Sequence, residues 1–286
     1  MSLTSFSGSL HLNHLVLFML FFLLALVQLI ESSPRAYEEA LICGNKTAST
    51  NDYPAFKQNY ISAIDSIVDP LVSTGVVDIV AGNGNSSTVF LFGACMKDLS
   101  PGECDSCSSG MLVKIEQCQA IETGTRAGRL YLGGCFIRFD DHKFENEITG
   151  PEDLVNCGQQ VEPHSSFIGV VDQLLSSLSG EAPGNGGFYL VSKQENGVSA
   201  YGLAQCWKYL NIDQCRTCLS DSAIPKAKTC LPKAEATILN AGCYLKYSTQ
   251  QFYNKASEGF RHSLTGGLLY SSLVFTLAIL SRVAAN

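Results

Sequence analysis

The 286-residue chain is poor in basic charge, histidine and tryptophan. Its 19 Lys and Arg are outnumbered by 26 Asp and Glu, giving a net charge of −7 and a pI near 5.2. No run of Lys or Arg could track a phosphate backbone, so nucleic acid is excluded as a partner. Of the five histidines, His11 and His14 precede an N-terminal apolar run, which leaves His142, His164 and His262 for any chemistry. There is no Gly-x-Ser-x-Gly elbow and no His-Glu-x-x-His helix, the usual frames for an activated serine or a catalytic zinc. The expectation is a protein that is not an enzyme and carries no cofactor or metal. Long apolar runs occur only near the two ends. Residues 15–30, followed by Glu31-Ser32-Ser33, have the form of a signal peptide spanning 1–33, although no Lys or Arg precedes the run. Residues 264–280 are apolar and uncharged and are read as a membrane anchor, either a short transmembrane helix or a glycolipid-anchor signal.

Cysteine, by contrast, is abundant. The chain has 12, and behind a secretory signal an even number reads as disulfides. Cys95, Cys104 and Cys107 are spaced by nine and three positions, and Cys206, Cys215 and Cys218 repeat that spacing. Around them Cys43, Cys118 and Cys135 correspond to Cys157, Cys230 and Cys243, six cysteines to each copy. The flanks agree as well, since Gly133-Gly134-Cys135-Phe136 matches Ala241-Gly242-Cys243-Tyr244. The chain is therefore a tandem duplication, with modules expected at 34–145 and 146–255 and a charged boundary containing Gly150-Pro151.

Within each module the periodicity predicts an α+β order. A helix over 56–72, kinked or ended by Pro70, precedes a Gly- and Asn-rich loop and a strand that runs into the first motif cysteine. A second helix covers 104–118, and a long strand through Cys135 closes the module. The second copy has its first helix at 166–178 and its closing strand through Cys243. Two helices on one face of an antiparallel sheet make the layer that such an order builds. The two Cys-x-x-Cys pairs do not suit a thioredoxin-type or zinc reading, because a further cysteine lies nine residues upstream in both copies and no histidine is near. Asp140-Asp141-His142 is read as a solvated turn where a strand leaves for the linker. Asn45-Lys-Thr47 and Asn85-Ser-Ser87 are N-glycosylation sequons.

The repeated Cys-x8-Cys-x2-Cys pattern resembles the plant DUF26 family, also called the Gnk2-homologous or stress-antifungal domain. Two copies with a signal and a C-terminal apolar segment are similar to the plasmodesmata-located proteins and the cysteine-rich repeat secretory proteins. The resemblance covers about residues 38–250. It implies two helices on an antiparallel sheet with three disulfides inside each module. These would pair Cys43 with Cys118, Cys95 with Cys104 and Cys107 with Cys135, then Cys157 with Cys230, Cys206 with Cys215 and Cys218 with Cys243. Cysteine counting alone leaves fifteen pairings for six cysteines. The antifungal member of the family binds mannose through an Asn after the first cysteine, an Arg six before the last and a Glu five after it. Here those places hold Gly44, Arg129 and Asp140, and in the second copy Gly158, Thr237 and Ser248. Arg129 with Asp140 is thus the carbohydrate-binding candidate, set against a reading of Arg129 as an exposed strand residue paired with an acid. The expected role is recognition at the plasma membrane, by resemblance at plasmodesmata, with an apoplastic lectin-like or antifungal role and a kinase-less decoy or co-receptor as alternatives. Expected partners are wall carbohydrate, another extracellular domain such as a receptor-like kinase ectodomain, the membrane, and a second copy of the chain.

Overall fold

In the computed structural model, residues 35–44, 52–84, 86–119 and 125–254 are described. The first lobe runs β1 (Glu38–Cys43), α1 (Tyr53–Asp65), α2 (Val68–Thr74), β2 (Val76–Ala81), β3 (Val89–Cys95), α3 (Pro101–Ile115), β4 (Gly128–Leu132) and β5 (Cys135–Asp140). Its five strands form one antiparallel sheet in the order β1-β4-β5-β3-β2. The second lobe repeats the plan with β6 (Leu154–Cys157), α4 (Phe167–Glu181), β7 (Phe188–Glu195), β8 (Val198–Cys206), α5 (Ile212–Thr217), α6 (Ile224–Lys228), β9 (Glu235–Leu239) and β10 (Cys243–Ser248). Its order, β6-β9-β10-β8-β7, is the same. Among the described residues no helix is long and apolar enough to cross a membrane. Residues 1–33 and 264–280 and the sequon residues Asn45 and Asn85 lie outside the described residues.

Pro70 acts earlier in the chain than the sequence suggests. The helix expected over 56–72 is broken at Ser66–Ile67, and Pro70 sits inside the second piece. A proline clashes with the carbonyl four residues before it and cannot bond to it. That carbonyl belongs to Ser66, so the chain breaks there. The helix after the first motif cysteine begins at Ser100, whose side chain accepts from the Glu103 N–H while Glu103 bonds back to the Ser100 N–H. Asn211 and Gln214 repeat this capping box. In the second lobe the helix swells into a π turn at Cys218–Ala223. Cys218 to Cys230 is 12 positions where Cys107 to Cys118 is 11, and a π turn is how a helix absorbs one added residue.

The cysteine spacing follows from the register. Cys95 at the end of β3 lies opposite Cys135 at the start of β5. Cys104 and Cys107 are three apart on α3 and so share a face. Each reaches one of the two strands, giving Cys95–Cys104 and Cys107–Cys135, and Cys43–Cys118 ties the edge strand β1 to the end of the same helical segment. Cys157–Cys230, Cys206–Cys215 and Cys218–Cys243 do the same in the second lobe, and no cysteine is left free.

The body through Asn254 is a single compact unit, because the helix-free faces of the two sheets pack on each other. Along β5 the alternation sends Ile137 and Phe139 toward the helices and Phe136 and Arg138 to the other face. Phe136 stacks flat on Trp207 of the second lobe, with centroids 4.4 Å apart and planes 3° from parallel. Phe92 meets Tyr209 edge-on at 5.1 Å, and Leu203, Leu239 and Tyr244 join the first lobe's core. Gln205 clamps the first lobe's backbone, donating to the Cys95 carbonyl at 3.0 Å and accepting from the Lys97 N–H at 2.9 Å. Lys246 pairs with Glu39 at 2.8 Å and Lys208 with Asp78 at 2.7 Å. The chain's two described ends also meet. Asp98, buried, pairs with Arg35 at 2.6 Å and accepts from the Asn254 N–H at 3.0 Å.

Candidate functional site

The residues at the family's ligand positions converge on one cleft in the first lobe. Arg129 on β4 and Arg138 on β5 are cross-strand partners, which puts both guanidiniums on the same face. Asp140, two residues beyond Arg138, shares that face, and the segment after β5 folds back to deliver Glu147. Gly44 completes one wall, beside Ala127. The cleft has a volume of about 530 Å³ and is otherwise lined by His142 and residues 149–152.

Glu147 is the hub. Its Oε2 pairs with Arg138 Nη1 at 2.7 Å and accepts from Arg129 Nη2 at 3.3 Å. Arg138 Nη2 reaches Asp140 at 3.0 Å, and its guanidinium lies over the Phe144 ring at 4.0 Å. His142, half exposed, bridges Asp140 at 2.7 Å and Glu147 at 3.3 Å. Burial pushes the Asp140 carboxyl above its ordinary value, and Arg138 and His142 offset this only in part. For Glu147 burial acts in the same direction, but the hydrogen bond and charge of Arg138, with His142 and Arg129, outweigh it and hold the carboxyl below its usual range. Arg129 keeps one buried nitrogen, Nη1, with no hydrogen-bond partner among the described residues.

Two expectations are corrected here. Arg129 is buried, with only 6 % of its surface exposed, and is not an exposed strand residue. Asp140 is likewise buried at 4 %, so Asp140-Asp141-His142 is a tied-down corner and not a solvated turn. One ligand atom from each of Asp140, Asp141 and His142 lies within 4.8 Å of the others, the grouping a cation needs. Arg138 at 3.0 Å from Asp140 and Arg126 at 3.0 Å from Asp141 already neutralise those carboxylates and would repel a cation. The arrangement is a salt-bridge network presenting fixed donors and acceptors, suited to hold a polar, hydroxylated ligand. Among the described residues no serine or cysteine lines it, and the one hydroxyl among them, on Thr149, lies on the wall formed by 149–152.

The second lobe has used the matching positions differently. Thr237 and Ser248 stand where Arg129 and Asp140 do, and Lys246, opposite Thr237, is committed to Glu39 across the lobe contact. A smaller cleft of about 380 Å³ remains there, lined by Gln159, Gln160, Glu235, Ser248 and Gln250 among others. Sequence reasoning missed Arg138 and Glu147. Strand alternation alone would have put Arg138 beside Asp140, but nothing local reports the return of the 141–153 segment.

Comparison with known proteins follows the same lines. The family described as salt stress response/antifungal matches twice, over residues 42–142 and 156–250. Cysteine-rich receptor-like protein kinase 2 of Arabidopsis thaliana is 30% identical over 269 residues, 91% of this chain and 40% of the kinase. The chain thus spans well under half the length of that relative. Plasmodesmata-located protein 6 of the same plant is 32% identical over 184 residues, covering 61% of this chain and 58% of that protein. The crystal structure of the tandem DUF26 ectodomain of the Arabidopsis protein PDLP8 superposes with a TM-score of 0.63 at 23% identity, over 74% of this chain and 98% of that one. That of PDLP5 gives 0.62, also at 23% identity, over 77% and 100%. At that identity the likeness speaks for the fold.

Proposed function

Since the chain belongs to the salt stress response/antifungal family and carries its domain twice, we propose that it is a non-enzymatic, membrane-anchored extracellular recognition protein. By likeness to the plasmodesmata-located proteins, it would act on cell-to-cell traffic and callose. The observation that carries the recognition role is the Arg129 cleft. Among the described residues its acids are held by arginines and no serine or cysteine lines it, while the paired guanidiniums and carboxylates present fixed donors and acceptors. Wall carbohydrate is the ligand class with that chemistry.

An internally tagged chain should resist extraction by salt and require detergent or a phospholipase, the latter marking a glycolipid anchor. Imaged against a callose stain, it should be punctate at the wall and lose that pattern when residues 264–286 are deleted. Release by salt alone would overturn the anchor and favour the apoplastic, lectin-like alternative. On a panel of wall oligosaccharides, Arg129→Ala should lose binding that the parent protein has.

One observation favours a second reading. The match to the receptor kinase runs over 91% of this chain, while the kinase is far longer. A kinase-less decoy or co-receptor would bind such a kinase ectodomain directly, and titration of the two purified proteins against each other tests this.

A further inference from the structure

Glu147, the hub of the Arg129 cleft, belongs to neither copy of the repeated domain. The family match ends at residue 142 and resumes at 156, so Glu147 stands on the connection between the two. Its own N–H bonds to the Phe144 carbonyl at 3.0 Å, a local turn that does not by itself fix where the connection lies on the sheet. The grip comes from the second lobe, from the turn Asn240-Ala241-Gly242 between β9 and β10.

The N–H groups of that turn draw the connection against it. Gly242 donates to the carbonyl of Ile148, the residue after Glu147, at 3.0 Å. Ala241 donates to Asp153 Oδ1 at 2.8 Å, and the buried Asp153 carboxylate also pairs with Lys226 at 3.1 Å. The carbonyls of the turn are taken as well. Tyr131 donates to that of Asn240 at 3.0 Å and Tyr209 to that of Ala241 at 2.9 Å. Tyr131 is two residues beyond Arg129 on β4 and shares its face of the sheet, so the turn is seated beside the cleft. The first lobe's own β4–β5 turn uses the matching amide, Gly133, to hold the Tyr37 carbonyl at 3.0 Å where the chain enters β1. The second copy applies the same grip to a stretch of chain that carries a cleft residue.

The fit is close enough to exclude a side chain. A Cβ on Gly242 would stand 2.9 Å from the Ile148 carbonyl oxygen, 3.0 Å from that of Glu147 and 2.8 Å from Leu210 Cδ1. The leucine can turn away, but the two carbonyls move only with the connection. A Cβ on Gly150 would likewise sit 3.3 Å from Arg129 Nη1 and 3.8 Å from the Ala241 methyl. A binding group must be held to within about 0.5 Å, and a loop alone holds it less well than a strand does.

We infer that Gly242 and Asp153 are positioning residues for the Arg129 cleft: the β9–β10 turn of the second lobe holds the connection so that the Glu147 carboxylate meets Arg138 and Arg129. The recognition site of the first lobe is then complete only with the second lobe docked beside it. The effect on binding rests on the proposed carbohydrate role of the cleft, whereas the placement of Glu147 is measurable without any ligand.

The test uses the full chain, made through a secretory host so that its disulfides form, with glutamate labelled at the side-chain carboxyl. The Glu147 signal is identified by its loss in Glu147→Gln and followed from about pH 3 to pH 7. Burial pushes this carboxyl up, but Arg138 foremost, with His142 and Arg129, holds it below its usual range in the parent. In Gly242→Ala it should rise toward the ordinary value of about 4.3. Binding of whichever of mannohexaose, cellohexaose and laminarihexaose the parent takes should weaken about tenfold, the worth of one hydrogen bond. Asp153→Ala should act in the same direction, and Asp153→Asn, which keeps an acceptor for the Ala241 N–H, should restore most of both readouts. Val171→Ala loosens the second lobe's core on its helical side, away from the turn, and should leave both at parent values, which separates positioning from general destabilisation. Urea midpoints confirm that each variant is folded, and should Gly242→Ala fail to fold, the Asp153 pair decides. An unmoved Glu147 signal in folded Gly242→Ala, an equal movement in Val171→Ala, or an Asp153→Asn no better than Asp153→Ala would overturn the inference. So would unchanged sugar binding in a variant whose Glu147 signal has moved. A parent that binds none of the three sugars removes the carbohydrate reading, while the Glu147 titration still decides the positioning.

Discussion

Arg129 and Arg138 face each other across adjacent strands, where two like charges destabilise a sheet unless acids intervene. Glu147 and Asp140 do so with opposite responses to pH. Glu147 titrates below its ordinary value, so its contribution to stability is full above about 4.3 and is lost as the pH falls through the depressed folded value. Asp140 titrates above its ordinary value, so its contribution is present below about 3.9 and is lost as the pH rises through the raised folded value. Glu147→Gln should therefore lower stability at neutral pH and flatten the acid side of the profile. Asp140→Asn should make stability climb more steeply with pH just above the ordinary Asp value. Urea midpoints measured from about pH 3 to pH 7 check both. Arg129 and Asp140 were legible from the sequence because they stand at fixed distances from Cys135. Glu147 was not, because what selects it is the path of a loop and not a spacing.

At the level of elements, two bridges fasten α3 to the sheet, and they should not contribute equally. Cys107–Cys135 closes 28 positions of chain and Cys95–Cys104 closes 9. Loop-closure entropy then assigns the first about 3.6 kcal/mol and the second about 2.6 kcal/mol. Replacing each pair by serine and comparing urea unfolding should give that order, and the same order for Cys218–Cys243 over Cys206–Cys215 in the second lobe. The elements themselves were readable from periodicity, and so was their α+β layering. The break in the first helix was misplaced because a proline disturbs the chain one turn before its own position. The π turn left only a one-residue difference in spacing as its trace.

For the molecule as a whole, the tandem motif announced two lobes but not their fusion. The clue lay in β4 and β5, whose residues are buried on both faces, as happens when a sheet is covered twice. Tyr131 and Phe136 could have faced solvent or membrane as well as a sibling lobe, and no spacing distinguishes these. Trp207 makes the fusion testable. Truncating it to alanine should cost about 3–5 kcal/mol, and the whole body should shift as one unfolding transition. Two transitions, only one of them displaced, would mean that the lobes melt as independent beads. The meeting of Arg35 and Asn254 at Asp98 has a further consequence. A short bridge from 254 back to 35 would make the body a closed loop, so fresh ends could be cut elsewhere, or the whole unit spliced into a host protein's surface turn, without straining the fold.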